Sequence, residues 1–506
     1  MANDKRISGA LWASFVRVAA TGRERVAIES PQASLSFTDA LNLTEQLAGD
    51  LRRHGVSEGS VVHVVLPNHP IFLPALLALN KLGATVGLVS ARYRDAEHRA
   101  LVERVAPAAY LTTPALADVL ARSIAIRDKR AISLEGQAVE LALAFPEASP
   151  ADPSHMREGL ALLKFTSGST GAPKGVGLTE ANLLAEAANV VATLGIEQRD
   201  RILVPVPISH SYGFDLGLLP VIVAGAGVAL RGAFIPREVI GDLARPETTI
   251  FLGVPSMYRV LLETELAEVP NLSHVRYLLS CTAPLLPTLI IDFHRRFRIP
   301  ICQHYGSSET GAISNHVPSR VLDRPASVGA ALANVEIRIL GPEGELLDAG
   351  QEGEIVIRSH AVAGGYVTDE SPGNGDLFRQ VDAGRSEYRT GDLGVLDHEG
   401  FLFWRGRKDH VINVGGLKVY PSEVVRVLES CPSVASARVL GQKDPSGEEV
   451  VHAVVSVSQS IREQDILDYC RKHLADYKVP RRIEITDTIA TPESAKMANL
   501  TGDIHL

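Results

Sequence analysis

The chain is poor in cysteine. Its four, Cys281, Cys302, Cys431 and Cys470, stand far apart with no CxxC pair. A zinc-ribbon signature is thereby excluded, and a disulfide framework is not expected, which points to a reducing, cytoplasmic setting. Positive charge is also short: 50 basic residues against 59 acidic give a formal charge of −9. Such a chain has no general attraction for nucleic acid or for an anionic membrane surface. A local basic run, "RKHLADYKVPRR" (Arg471 to Arg482), reads equally as a solvated helix with a turn or as an anion-binding surface. Long hydrophobic runs are missing too. The longest, "LGLLPVIVAGAGVAL" (Leu216 to Leu230), falls short of the ~20 residues of a membrane span and contains a proline, so it is read as buried core. The first residues, "MANDKRISGALWASFVRVAATG", mix charges into their apolar stretch and do not read as a targeting signal.

What is present is an ordinary globular composition, 45% hydrophobic and 22% charged. At 506 residues the chain has length for roughly three or four domain-sized units. Up to about residue 330, short β-branched runs alternate with helical patterns. "SVVHVVLP" (Ser60 to Pro67) predicts a buried strand, "IFLPALLALNKLG" (Ile71 to Gly83) a helix, and "ATVGLVS" a further strand. The rhythm repeats at "DRILVPVP", "TTIFLGVPSMYRVLLETEL", "VRYLLSCTAPL" and "IPICQHYGSSE". Alternation of this kind predicts α/β architecture with a mostly parallel, doubly covered sheet and ligands at the carboxyl ends of its strands. Near Ser327 the texture changes. "VEIRILGPEGELLDAGQEGEIVIRS" (Val335 to Ser359) and "LGVLDHEGFLFW" carry hairpin signals and predict a small antiparallel, barrel-like β unit. After "GRKDH" the pattern returns to α+β, with strands at "ASARVLG" and "VVHAVVSV" and a helix near "REQDILDYCRKHL". These signals place a large N-terminal region at 1–407 and a small C-terminal domain at 408–506, joined without a low-complexity linker.

One loop stands out. "FTSGSTGAPKG" (Phe165 to Gly175) packs three glycines, four hydroxyl-bearing residues and one lysine into a short stretch. It follows the apolar run "GLALLKF" and precedes the helical pattern "TEANLLAEAANVV", which predicts a strand, a glycine loop and a helix arranged around phosphate oxygens. The Walker pattern does not fit, because Lys174 is preceded by Pro173 and followed by Gly175. Taken alone, such a loop is as readily a flexible surface loop.

It is followed, in order, by "SCTAPL" (Ser280 to Leu285), "YGSSETG" (Tyr305 to Gly311), "YRTGDLG" (Tyr388 to Gly394), "GRKDHVINVGGLKVYPSEVV" (Gly406 to Val425) and "TPESAKMANL" (Thr491 to Leu500). With the glycine loop these resemble the ordered motifs of the adenylate-forming superfamily, which includes acyl- and aryl-CoA synthetases, peptide-synthetase adenylation domains and beetle luciferases. The resemblance runs from about residue 35 to residue 500. It implies ATP, Mg²⁺ and CoA as cofactors and a small carboxylic acid as substrate. The acid would be converted to an acyl-adenylate and then to a thioester. The acceptor is CoA or, alternatively, a carrier protein, and oligomeric state is not legible.

The chemistry asks two anions to approach each other, so positioning and charge neutralisation must dominate. By resemblance, Thr166, Ser167, Gly168, Ser169, Thr170, Gly171 and Lys174 surround the β- and γ-phosphates. Glu309 is the carboxylate for Mg²⁺, Ser308 lies near the α-phosphate, and Gly306 and Ser307 also belong to the ATP/AMP site. One carboxylate plus phosphates suits a hard, hydrated cation; otherwise Glu309 would be a helix-start acid. Asp392 and Arg407 take the ribose, and Tyr305 stacks on adenine beside Thr282, Ala283 and Pro284, unless it is simply a core aromatic at a strand end. Lys496 matches the catalytic lysine that bridges the α-phosphate and the acyl carboxylate, in "SAK" where the family has Ser-Gly-Lys. Asp409 falls at the superfamily's hinge between adenylating and thioester-forming states. Gly415 and Gly416 resemble the glycines that pass a pantetheine arm, though they equally form a tight turn.

The segment "VPISHSYGFDLGL" (Val206 to Leu218) aligns with the substrate gate. His210 takes the gate position, or else caps the next helix. Pocket walls are expected from Ser211, Tyr212, Phe214, Pro255, Ser256, Cys281 and His304. Many relatives carry two glycines where this chain has Cys281 and Thr282, so the pocket is expected to be narrowed. No charged residue obviously awaits an amino-acid ammonium group. The implied acid is therefore hydrophobic or aryl.

Overall fold

The computed structural model describes residues 9–93, 95–105, 107–134, 140–147, 159–167, 173–367, 377–382, 384–414, 417–443, 449–486 and 489. Its backbone divides into two compact units. The first comprises 1–325, 331–336 and 357–388; the second comprises 326–330, 337–356 and 389–506.

The predicted strands of the first unit form two sheets. In the seven-stranded sheet, Val61–Val65 lies parallel to both Thr85–Leu88 and Ala109–Thr112. Thr85–Leu88 pairs in parallel with Leu160–Ser167. Antiparallel strands flank this centre, Leu141–Pro146 and Ile126–Ile132 on one side and Pro173–Thr179 on the other. The other sheet is parallel from Ile301–Ser307 through Tyr277–Ser280, Ile250–Gly253 and Arg201–Val204 to Gly227–Leu230 and Val26–Glu29. Every residue of Val61–Val65, Ile250–Gly253 and Gly227–Leu230 is buried, as strands covered on both faces require. Helix Phe72–Lys81 is buried along all but its last residue, which explains why it is apolar all round. The run Leu216 to Leu230 is core, as the sequence predicts: a π-helical turn, the short helix Leu219–Ala224 and a strand. Among the described residues, no helix is long and apolar enough to cross a membrane.

One expectation is overturned. The glycine loop does not lead into a helix. Pro173–Thr179 is a strand, antiparallel to Leu160–Ser167, with Thr166 opposite Lys174 and Ser167 opposite Pro173. Helix Glu180–Leu194 starts only after it, capped by Thr179 and Asn182 in a reciprocal capping box. The strands on either side of residues 168–172 thus pair as a β-hairpin, and the element that follows them is a strand and not a helix.

In the second unit, Asp392–Leu396 pairs antiparallel with Leu402–Arg407 around a turn at Asp397–Gly400, and "GPEGE" closes another turn through Gly341 N–H to the Glu345 carbonyl. Further on, Val434–Lys443 pairs antiparallel with Glu449–Val457, which lies parallel to Arg482–Thr486. Helices Pro421–Glu429 and Glu463–His473 share a core with this sheet built on Val424, Leu428, Ala453, Val455, Ile466 and Cys470.

Two histidines of the first unit tie stability to pH. His63, in the middle of Val61–Val65, is fully buried with neither ring nitrogen bonded, edge-on to Tyr110 and Phe165. Burial, aided by nearby His98, pushes it down to about 3; burial pushes His304 down to about 4, against a bond to Asn315. The unfolded chain therefore binds protons below ~6.5 that the folded chain refuses, so stability is lost as pH falls from there toward 4. Each histidine is expected to remove about 2 kcal/mol at pH 5. Thermal unfolding at pH 7 and pH 5 checks this: His63→Phe should lessen the acid-induced fall in Tm, and an undiminished fall would exclude His63 as a source.

Candidate active site

The turn "GSSETG" joins strands Ile301–Ser307 and Gly311–Asn315. A bulge falls between Tyr305 and Gly306, and a Cβ at Gly306 would lie 2.6 Å from the Gly311 carbonyl oxygen, so only glycine fits. Glu309 sits in the turn, buried, with no helix after it; the reading as a helix-start acid therefore falls away. Its Oε1 accepts a 2.8 Å hydrogen bond from Tyr366 Oη, which lies 3.2 Å from Tyr388 Oη. Burial, reinforced by Glu309, pushes the Tyr366 phenol well up, so it stays a donor. The same ring lies under Lys174, whose Nζ is 4.9 Å from its centroid. Tyr366 thus joins the hairpin lysine to the turn carboxylate. Sequence reasoning missed it, because its contact with Glu309 spans 57 positions and no local pattern marks it.

The substrate segment reaches the same turn. Ser211 Oγ is 2.8 Å from Ser308 Oγ. His210 precedes the short helix Ser211–Gly213 without a capping bond from its side chain, so the capping reading is not realised. Tyr212 and Phe214 are buried, and the Tyr212 ring stacks at 6.1 Å on His304, which is held at 3.2 Å by Asn315 and kept neutral by burial. Pro255 and Ser256 open helix Pro255–Glu263, at the carboxyl end of Ile250–Gly253. Cys281 is half-buried at the end of Tyr277–Ser280. Thr282 beside it, exposed, has φ +77°, a left-handed conformation in which glycine rests easily and threonine is strained by about 1–3 kcal/mol. Ala283 and the exposed Pro284 follow. Tyr305 lies within its strand and is half-buried, which leaves part of it accessible. Asp215 is not available to an ammonium ligand, because both its oxygens accept from Lys164 Nζ at 2.7 Å.

The second unit holds a separate pair. Asp392 and Arg407 are register partners, with Arg407 Nη1 at 3.4 Å from Asp392 Oδ1 and donating at 2.9 Å to the Thr390 carbonyl. Asp409 falls in the single turn Lys408–His410 that follows. Gly168, Ser169, Thr170, Gly171, Gly415, Gly416 and Lys496 lie outside the described residues.

The sequence pattern of AMP-binding enzymes matches residues 15–367, and that of the AMP-binding enzyme C-terminal domain matches 423–496. The chain belongs to the AMP-binding enzyme family. It is 30% identical to an indoleacetate–CoA ligase of Aromatoleum aromaticum over 92% of each chain. It is 29% identical to a feruloyl-CoA synthase of an Amycolatopsis species over 97% of each. Among solved structures it resembles o-succinylbenzoate CoA synthetase of Bacillus subtilis with its acyl-adenylate intermediate, at TM-score 0.80 and 27% identity over 95% of each chain. The same bacterial enzyme with ATP and magnesium ion superposes at 0.79, also at 27% identity, over 94% of this chain and 96% of that one. As an AMP-binding enzyme, the chain has a suitable magnesium donor set in its turn. Glu309 offers carboxylate oxygen, in a turn whose other side chains, Ser307, Ser308 and Thr310, are hydroxyls. That matches a cation which keeps its waters and takes one carboxylate plus phosphates.

Proposed function

We propose that this enzyme activates a hydrophobic or aryl carboxylic acid with ATP and passes the acyl group to CoA. In the first half-reaction a carboxylate oxygen bonds to the α-phosphorus. The bond to the β-phosphate oxygen breaks with its electron pair, and pyrophosphate leaves. In the second, the CoA sulfur attacks the acyl carbonyl, the thiol proton is lost, and AMP departs with the electrons of the acyl–oxygen bond. The observation that carries the reading is the Lys174–Tyr366–Glu309 array, joined to the substrate segment through Ser211 and Ser308. Glu309 would hold Mg²⁺, which supplies charge neutralisation at the phosphates. Lys174 and the hairpin tip grip the pyrophosphate end, Asp392 and Arg407 take the ribose, and Lys496 serves the adenylating transition state. Rotation of 408–506 about Asp409 then brings Gly415 and Gly416 to the pantetheine arm. An apolar acid is supported by the buried rings of Tyr212 and Phe214 in the substrate segment, which we assign to the pocket wall, and by Asp215 being held by Lys164. With all four cysteines unbridged, we place the enzyme in the cytoplasm.

Acid-dependent pyrophosphate exchange over a panel of aryl, alkyl and amino acids tests this, followed by AMP release with CoA or a phosphopantetheinyl carrier. Exchange should be greatest with an uncharged aryl or alkyl body, and CoA should be the acceptor. Exchange with no acid would mean a protein that only binds; preference for a carrier would replace CoA as acceptor.

A further inference from the structure

Lys164, Asp215 and Glu186 form a buried charged cluster to which no part in the chemistry has yet been given. Lys164 stands on strand Leu160–Ser167, just ahead of the glycine loop; Asp215 belongs to the π-helical turn Phe214–Leu218 of the substrate segment. Lys164 Nζ donates to both Asp215 oxygens at 2.7 Å, with each side chain 4% exposed, and it lies 5.8 Å from the centroid of the Phe214 ring. Glu186, on helix Glu180–Leu194, is also buried, and its Oε1 accepts from Ala312 N–H at 2.8 Å. A Cβ at Gly311, whose φ is +69°, would collide with the Glu186 carboxylate. Gly311 and Ala312 complete the turn that carries Glu309. Charged side chains are seldom buried without a partner, because desolvation is costly. Three of them here meet under three motifs distant in sequence.

We infer that Lys164, Asp215 and Glu186 form a buried positioning unit. It holds the glycine hairpin, the substrate segment and the Glu309 turn in one register for adenylation. Lys164 fixes the substrate segment against the hairpin strand, and Glu186 backs the turn through the Ala312 amide. Burial, then Asp215, pushes Glu186 up to about 8, opposed by the Ala312 amide and Lys164; near neutral pH it is chiefly the neutral acid. Glutamine is therefore its close mimic. The inference rests on the proposed function, since it assigns the turn and hairpin to ATP.

The test measures both half-reactions in the full-length enzyme: acid-dependent pyrophosphate exchange, and thioester formation from supplied acyl-adenylate. Glu186→Ala is expected to lower kcat for exchange on the order of 10²-fold, as a displaced reacting geometry does, with KM for the acid little changed. Thioester formation, which needs neither the pyrophosphate grip nor the turn carboxylate, should hold. Glu186→Gln should recover most of the exchange. Lys164→Met with Asp215→Leu should fold with an undiminished Tm, since apolar replacement of a buried pair is commonly tolerated, yet lose exchange on the order of tenfold. Equal loss in both half-reactions for Glu186→Ala, or full exchange in the folded double variant, would overturn the positioning unit. A wild-type enzyme inert toward every acid would instead overturn the proposed function.

Discussion

Lys496→Ala is expected to lower acid-dependent pyrophosphate exchange by about 10²–10³-fold, the usual cost of losing one charge-stabilising donor from a transition state. As carboxylate and α-phosphate close on each other, their negative charges converge, and a lysine that bridges them contributes most at that moment. It should therefore act on kcat more than on KM. Thioester formation from a supplied acyl-adenylate begins after that charge has left as pyrophosphate, so the variant should carry it out at near the wild-type rate. Rapid-quench measurement of the two half-reactions separates the cases. Equal loss in both would show that Lys496 serves the whole cycle, and would remove the reason for a rotation at Asp409. Because Ala495 stands where the family has glycine, Ala495→Gly in the same assay reports whether backbone freedom beside the lysine limits the first step.

Glu309→Gln should be nearly as severe in adenylation, about 10²-fold or more. Glutamine can still accept from Tyr366 Oη through its amide oxygen, and the backbone bond from Ala363 N–H to the Glu309 carbonyl is untouched, so the turn should keep its shape and the protein its Tm. Only the charge is removed. The loss should consequently appear as a raised magnesium requirement, partly recovered at high magnesium. Titration of exchange against magnesium at fixed ATP reads this directly. An unchanged magnesium dependence with a lowered Tm would reassign Glu309 to holding the turn together.

Much of the architecture was legible because its elements announce themselves locally. Ile250–Gly253 is an unbroken apolar run, Val61–Val65 is apolar but for His63, and Phe72–Lys81 is apolar over most of its length, so burial could be read from composition. Strand Pro173–Thr179 was not, since glycine leaves no hydrophobic pattern to read. At Gly177 a Cβ would press to about 3 Å on Val367 and Leu160, so this residue marks close packing that the sequence does not announce. Candidates for the site could be named from the sequence wherever short motifs carry them: Thr166 and Lys174 in one, Ser308 and Glu309 in another, Asp392 and Arg407 in two more. Tyr366, Glu186 and the Lys164–Asp215 pair could not, because their contacts join positions 57, 126 and 51 apart. Only the fold makes them neighbours.

The hairpin changes what the glycine loop costs its owner. Ser167 and Pro173 are register partners, so the paired strands themselves bring the two ends of that segment together. Closure entropy grows slowly with length, by about 0.6 kcal/mol for each doubling. Folding therefore exerts little discipline over that stretch, and many sequences there would leave the two strands equally well joined. If its serine, threonine and glycines serve the nucleotide as proposed, a library randomised between Ser167 and Pro173 should sort by turnover and hardly by yield of soluble protein.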